Sequence, residues 1–319
     1  MKKKCGFLAM ALCAVMAVSL PACAPAKTGY TIGISQIVQH VALDAATQGF
    51  RDAVTAEFGD SVTFIEQNAQ GDPATCAAIA NSLVASKVDL ILANATPALQ
   101  AAAAATSEIP VLGTSITEYS VALDLKDFNG TVGGNVSGTS DLAPLDEQAD
   151  MVHALFPDAA NVGMIYCSAE ANSLYQVETV RVALQAFGYA VTFFPFSDSN
   201  DLAAVATTAA AASDVIYIPT DNTVASNMGI IDNICRPAGV PIVAGEEGIC
   251  AGGGAAALSI DYYDLGFATG KMAVKILKGE SRVGEMPIEY APNFTKKYNP
   301  EVCTELGIEI PADYTPLEP

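Results

Sequence analysis

Polar side chains in this sequence collect where apolar runs stop. The run Val215–Ile218 ends in Thr220, Asp221 and Asn222, the run 89–93 ends in Asn94 and Thr96, and an opening run through Ile34 ends in Ser35 and Gln36. Ser115 and Thr117, Ser168, Asn172 and Ser173, and Glu246 and Glu247 stand at similar breaks. Hydroxyls, amides and carboxylates of this kind give and accept hydrogen bonds and compensate charge, which is the chemistry of holding a small polar molecule. The same residue types also cap helices and shape turns. Ser140 and Asn200 read first as caps, and Asp221 has a competing reading as the cap of a helix beginning near Thr223.

Signals for covalent chemistry are sparse. The chain has neither a Gly-x-Ser-x-Gly elbow nor a GxxxxGK[ST] phosphate loop, and Gly252-Gly253-Gly254 reads as a turn before an apolar run. His40 and His153 are far apart and join no CxxC pair, so neither a metal site nor a cofactor is expected. Cys76, Cys167, Cys235, Cys250 and Cys303 form no disulfide framework. They read as small buried hydrophobes, with one conceivable pair, Cys235 and Cys250. Carboxylates near a cleft keep an exported hydrolase of small amides or glycosides as an alternative function. A ligand-binding sensory domain is a second alternative.

The elements that must position these residues are written twice. A strand at 30–35, a helix at 41–58, a strand at 62–66, a helix from Asp72-Pro73 and a buried strand at 88–93 recur as 162–166, 174–187, 191–195, 202–212 and 215–218. Short strands alternating with amphipathic helices indicate parallel sheets covered on both faces. In such sheets, ligands meet the loops at the carboxyl ends of the strands. Two facing lobes would gather the polar breaks around one cleft. A further strand is expected at 255–260, followed by a helix at Tyr262–Leu277 that ends before Gly279. The expected division is 30–136 with 253–285 as the first lobe and 137–252 with 286–319 as the second. Crossings are expected near 134–139, 245–254 and 285–292.

The beginning of the chain reads as an export signal. Three lysines precede an apolar run from Phe7 to Leu20 that is too short to span a bilayer of about 20 residues. Ala22-Cys23 at its end resembles the lipobox of bacterial lipoproteins. The expectation is a signal peptide at 1–22, an acylated Cys23 and a tether at 23–29. Removing Lys2, Lys3 and Lys4 takes the formal charge from −20 to −23. Such a surface repels phosphate backbones, so nucleic acid is not an expected partner. An apolar fraction of 51% supplies ample core despite this charge.

Longer stretches resemble the solute-binding proteins of ABC importers of the tryptophan and tyrosine type, with a type I periplasmic-binding-protein fold. These stretches are Gly33-Ile34-Ser35-Gln36, Ala95-Thr96-Pro97 with Gln100, Asn135 to Asp141, Glu170-Ala171-Asn172-Ser173, Tyr217 to Ser226 and Asp261 to Gly266. The resemblance implies a clamshell of two Rossmann-like α/β lobes with parallel central sheets, joined by three crossovers and closing on an amino acid without covalent chemistry. It implies permease and ATPase partners. It also places Thr96, Ser140, Asn172, Ser173, Thr220, Asp221 and Asn222 in or beside the cleft, with Gln36 and Glu246 at its border. Within that frame, Asp221 is expected to accept the ligand's ammonium, and groups around Thr96, Ser140 and Ser173 its carboxylate. Two stretches depart from the family: His40-Val41 stands where His-Pro is common, and Thr117-Glu118-Tyr119 where Thr-Asp-Pro is common. Both loops are expected to shape the cleft, with Tyr119 taking up space there.

Overall fold

The computed structural model describes residues 29–318. The leader, Cys23 and the tether through residue 28 lie outside the described residues. The chain first builds β1 (Tyr30–Gln36), α1 (Val41–Phe58), β2 (Val62–Asn68), α2 (Pro73–Ala85), β3 (Leu90–Asn94), α3 (Thr96–Ala105), β4 (Val111–Ile116), α4 (Tyr119–Ala122) and β5 (Val136–Ser140). It then passes to α5 (Leu145–Leu155), β6 (Asn161–Cys167), α6 (Ala171–Ala186), β7 (Ala190–Phe196), α7 (Leu202–Ala212), β8 (Val215–Ile218), α8 (Asn222–Ala225), α9 (Met228–Cys235), β9 (Ile242–Ala244), α10 (Glu247–Ala251) and β10 (Ala256–Ser259). It returns as α11 (Tyr262–Leu277) and β11 (Glu289–Tyr290), and finishes with β12 (Thr295–Tyr298), α12 (Pro300–Leu306) and β13 (Thr315–Pro316).

Two sheets result, ordered β11-β5-β4-β3-β1-β2 and β13-β12-β10-β9-β8-β6-β7. Every pairing between these strands is parallel except β10 with β12. The β-α-β units expected from the doubled pattern form one sheet each. Their central strands, β3 and β8, are buried along their whole length, as continuous apolar runs between two helical layers must be. The helices begin where the sequence marks them: Asp72 caps α2 ahead of Pro73, and Asn299 caps α12 ahead of Pro300.

Three strands change the expected division. Val136–Ser140 pairs with β4 inside the first sheet, so the chain leaves that lobe after residue 140. Its polar composition suits a crossing on paper. In the fold each hydroxyl is satisfied: Ser137 donates to Met286 O, Thr139 meets Thr114 and Thr269, and Ser140 donates to Thr117 O. A polar strand so paired is buried without penalty. Likewise β10 pairs with β9 and β12 in the second sheet, moving the second crossing to 260–261. β11 pairs with β5, so the third crossing follows Tyr290. Ile260, Tyr262 and Ala291 from these crossings pack with Ala42, Ala46 and Leu265 in a small apolar cluster of their own.

The five cysteines among the described residues are free and buried, so the conceivable Cys235–Cys250 pair is not made. Both side chains belong to the apolar core between the second sheet and its helices. Tyr119 also departs from expectation. It is buried in the first lobe's core, its hydroxyl donating to Gly113 O and Thr139 O at 3.1 Å each. A Cβ on Gly113 or Gly138 would collide with that hydroxyl, so the two glycines make its seat.

Candidate ligand-binding cleft

The carboxyl ends of the two sheets meet. An open groove of about 820 Å³ runs between them, walled by Val38, Asn68 and Asp72 of the first lobe and Glu170, Asp198 and Asn227 of the second. The lobes touch directly where His40 Nε2, at the start of α1, lies 3.2 Å from Asn222 Oδ1 on α8. Polar side chains from both lobes are thereby sealed from solvent. Gln36, Thr96, Ser140, Asn172, Ser173, Asp221, Asn222 and Glu246 are all 7% exposed or less, and Thr220 is partly buried.

Their hydrogen bonds sort them by role. Gln36 bonds to Val38 O, Asp44 and Thr47, which ties β1 to α1. Ser140 bridges Thr117 O and the Leu142 N–H, fixing the first crossing. Thr220 donates to Gly245 O, and its backbone is clasped by Gln176 and Asn172. Asn222 gives its amide to Glu170. Both oxygens of Glu246 accept α10 N–H groups. Asp221 caps α8 through the Val224 N–H at 2.9 Å and holds the Cys167 N–H at 2.6 Å. The capping reading of Asp221 is therefore realised in the fold, and its oxygens are already engaged. Asn172 differs, because its Nδ2 serves Glu170, Ser173 and Thr220 O while its Oδ1 is buried without a partner.

The other buried atoms without partners are the hydroxyls of Ser35, Ser115, Ser213 and Tyr314, Asn94 Oδ1, His40 Nδ1 and Asp141 Oδ1. Buried polar atoms are nearly always paired in folded proteins, so the group of them at the strand ends suits a bound molecule that completes the bonding. Ser35 and Ser115 stand on the two strands that flank β3, and β3 feeds α3. No side chain caps α3. Its first N–H groups lack intrahelical partners and carry partial positive charge. Two backbone outliers accompany this end: Ala95 has φ 84° and Ser115 φ 56°. Strain of that kind persists where the surrounding structure imposes it, commonly at functional sites.

The second lobe and the first crossing are acidic. Asp141, Glu170, Asp221 and Glu246 are buried, and among the described residues no lysine or arginine is. Glu170 is fully satisfied, accepting from Asn172, from the N–H and side chain of Asn222 and from the N–H and hydroxyl of Thr223. Burial pushes Asp141 up to about 6, with Glu246 adding and the Tyr262 hydroxyl opposing. Burial and then the Glu170 charge push Asp221 up as well. Burial also raises Glu246, opposed by His40 and the N–H groups of Gly248 and Ile249. Cys167, beside the groove, is pushed up to about 12 by burial and by Asp221 and Glu170. Burial thus favours its thiol, the less nucleophilic form. Donors and uncompensated carboxylates around one cleft suit a molecule that carries both a negative and a positive end.

The profile of ABC transporter substrate binding proteins matches residues 31–315. The chain belongs to the ABC transporter substrate-binding protein family. This substrate-binding protein is 38% identical over 265 residues to the tyrosine-binding protein of Clostridioides difficile strain R20291, covering 82% of this chain and 76% of the relative. A Streptococcus pneumonia ABC domain in complex with L-Trp superposes with a TM-score of 0.84 at 34% identity, covering 89% and 96% of the two chains. A ligand-free, open substrate-binding protein from Clostridium difficile superposes with a TM-score of only 0.68 at 36% identity, covering 91% and 99%. In this substrate-binding protein the two lobes touch across the groove at His40 and Asn222. The type I periplasmic-binding-protein clamshell expected from the sequence is the observed architecture.

Ser35 and Ser115 were among the polar strand ends expected at the cleft and His40 lay on a loop expected to shape it, whereas Asp141 and Glu170 were not singled out as site residues. Asp141 ends a run of small polar residues that reads as a linker, and Glu170 precedes a helix it does not cap. The usable signal was their place at strand ends, which Ser35 and Ser115 share.

Proposed function

We propose that this substrate-binding protein captures an amino acid, aromatic ones included, and presents it to permease and ATPase subunits without covalent chemistry. One observation carries the reading: the cleft has both unpartnered hydroxyls beside an uncapped helix N-terminus and buried carboxylates unmatched by lysine or arginine. A zwitterion fits that polarity. Its carboxylate would lie toward Thr96 and the start of α3, and its ammonium toward the buried carboxylates. Relatives that bind tyrosine and L-Trp support an aromatic side chain. The withdrawal of Tyr119 into the core supports it too, because that ring takes no space in the cleft. Native mass spectrometry of the purified protein, followed by calorimetry with the twenty amino acids, tests the proposal. A retained sugar or nucleoside, with no heat from any amino acid, would remove it.

We further propose export and acylation of Cys23, which would hold the protein at the outer face of a membrane. Two acyl chains give stable anchoring where one gives only marginal binding. Cys23→Ser should move the protein from the membrane fraction to the soluble extract or medium, read by fractionation at high salt. Unchanged membrane association would count against the anchor.

A further inference from the structure

We infer that Asp141, in the crossing between the lobes, accepts the ligand's α-ammonium, and that Asp221 is a positioning residue. This inference rests on the amino-acid reading of the cleft. The four buried carboxylates compete for that role, and their hydrogen bonds decide between them. Glu170 is saturated by five donors. Glu246 and Asp221 each spend both oxygens on backbone N–H groups that no other acceptor serves. Asp141 is the least engaged: Oδ2 accepts the Tyr262 hydroxyl at 3.0 Å, the nearby Thr117 side chain also favours the ionised carboxyl, and Oδ1 is buried with no partner at hydrogen-bond geometry.

Its position also suits the role. The Asp141 N–H is bonded to Ile116 O at the end of β4, which anchors it to the first lobe. Its side chain lies among Thr117 and Tyr119 of that lobe, Tyr262 at the start of α11, and Glu246 of the second lobe. His40 lies near Glu246 and opposes the effect of burial on it. A buried pair of carboxylates with so little positive charge nearby calls for a cation, and an ammonium directed at Oδ1 supplies one through a charge-assisted hydrogen bond. Asp141 follows β5 and α3 follows β3, two strands apart in the first sheet, or about 10 Å between strand backbones. Because Asp141 and Tyr262 lie at two different crossings, an ammonium held there would couple ligand capture to closure.

The test pairs a protein change with a ligand change. L-tyrosine and 3-(4-hydroxyphenyl)propionate differ by the ammonium, as do L-tryptophan and indole-3-propionate. Calorimetry at pH 7.5 with wild type should show the amino acid bound about 100-fold or more tighter than its des-amino analogue. In Asp141→Asn that preference should shrink to within about tenfold. A preference that survives D141N, or an equal loss for both ligands, overturns the assignment while leaving the amino-acid reading intact. Wild type that binds neither amino acid, or binds each no better than its analogue, overturns both. Should D141N fail to fold, Tyr262→Phe gives an independent readout. It removes a hydrogen bond that favours the ionised carboxyl, so the pH midpoint of amino-acid affinity should move upward. An unmoved midpoint overturns the assignment.

Discussion

Asp141 and Asp221 show how two buried aspartates in one cleft divide the work according to their hydrogen bonds. Asp141 stands at about 6 against an ordinary 3.8, with burial the principal cause. Between those values the folded, unliganded protein holds a proton that the unfolded chain does not. The stability this contributes is present below about pH 4 and is lost as pH rises through about 6. Affinity for an ammonium runs the other way, because the ligand needs the ionised form. Binding of L-tyrosine or L-tryptophan should weaken by about tenfold between pH 7 and pH 5, with proton release on binding near pH 6. Calorimetry in two buffers of different ionisation heat checks both. Asp221→Asn tests the cap. The amide can accept from only one of the Cys167 and Val224 N–H groups and turns its own donor toward the other. Leaving such a buried donor unmatched costs about 1–3 kcal/mol, so the ligand-free protein should melt several degrees lower. An unchanged melting temperature would mean that these bonds contribute little.

The same logic governs how whole elements meet. α1 and α11 pack backbone to backbone, and the close approach depends on glycine. A Cβ on Gly266 would clash with Ala46 O, and one on Gly49 with Tyr263 O. Backbone atoms cannot rotate away, so Gly266→Ala must push the helices apart, at a cost of about 1–3 kcal/mol or more. Gly229, on α9, is a useful contrast because nothing lies within 4 Å of its added Cβ. Gly229→Ala should stabilise by about 0.5–1 kcal/mol through helix propensity. Urea denaturation of the two variants should shift in opposite directions. The α1–α11 contact has a further consequence for the site. α11 enters the first lobe directly from the second crossing and carries Tyr262, so the packing that seats α11 also positions the partner of Asp141.

At the scale of the whole molecule, each lobe has its own sheet and core, and the crossings share a separate small cluster. The lobes can therefore rotate as bodies about residues 141–144, 260–261 and 291–294. Closure buries four carboxylates together, and burying like charges without a compensating cation is unfavourable. The ligand-free protein in solution should open, and a bound amino acid should close it. Small-angle X-ray scattering should show the radius of gyration falling on addition of L-tyrosine or L-tryptophan, with a smaller fall in D141N at the same concentration. A radius unchanged at saturating ligand would remove the clamshell motion.

Local pattern alone determined most of the elements. Alternation, apolar runs and caps such as Asp72-Pro73 are readable because strand and helix periods, and the hydrogen bonds of a cap, involve residues within a few positions of each other. The doubled β-α-β order followed from those elements, and the polar strand ends pointed to the cleft because parallel sheets place ligands there. Tertiary structure decided the rest. Ser137, Thr139 and Ser140 look like linker residues until distant partners satisfy their hydroxyls and turn them into a buried strand. Residues 256–259 carry nothing that names the sheet they join, since strand pairing is settled by neighbours far away in sequence. Asp221 and Asp141 are both acids at strand ends, and only the folded chain shows that backbone N–H groups occupy the first while the second keeps an oxygen buried and unpaired.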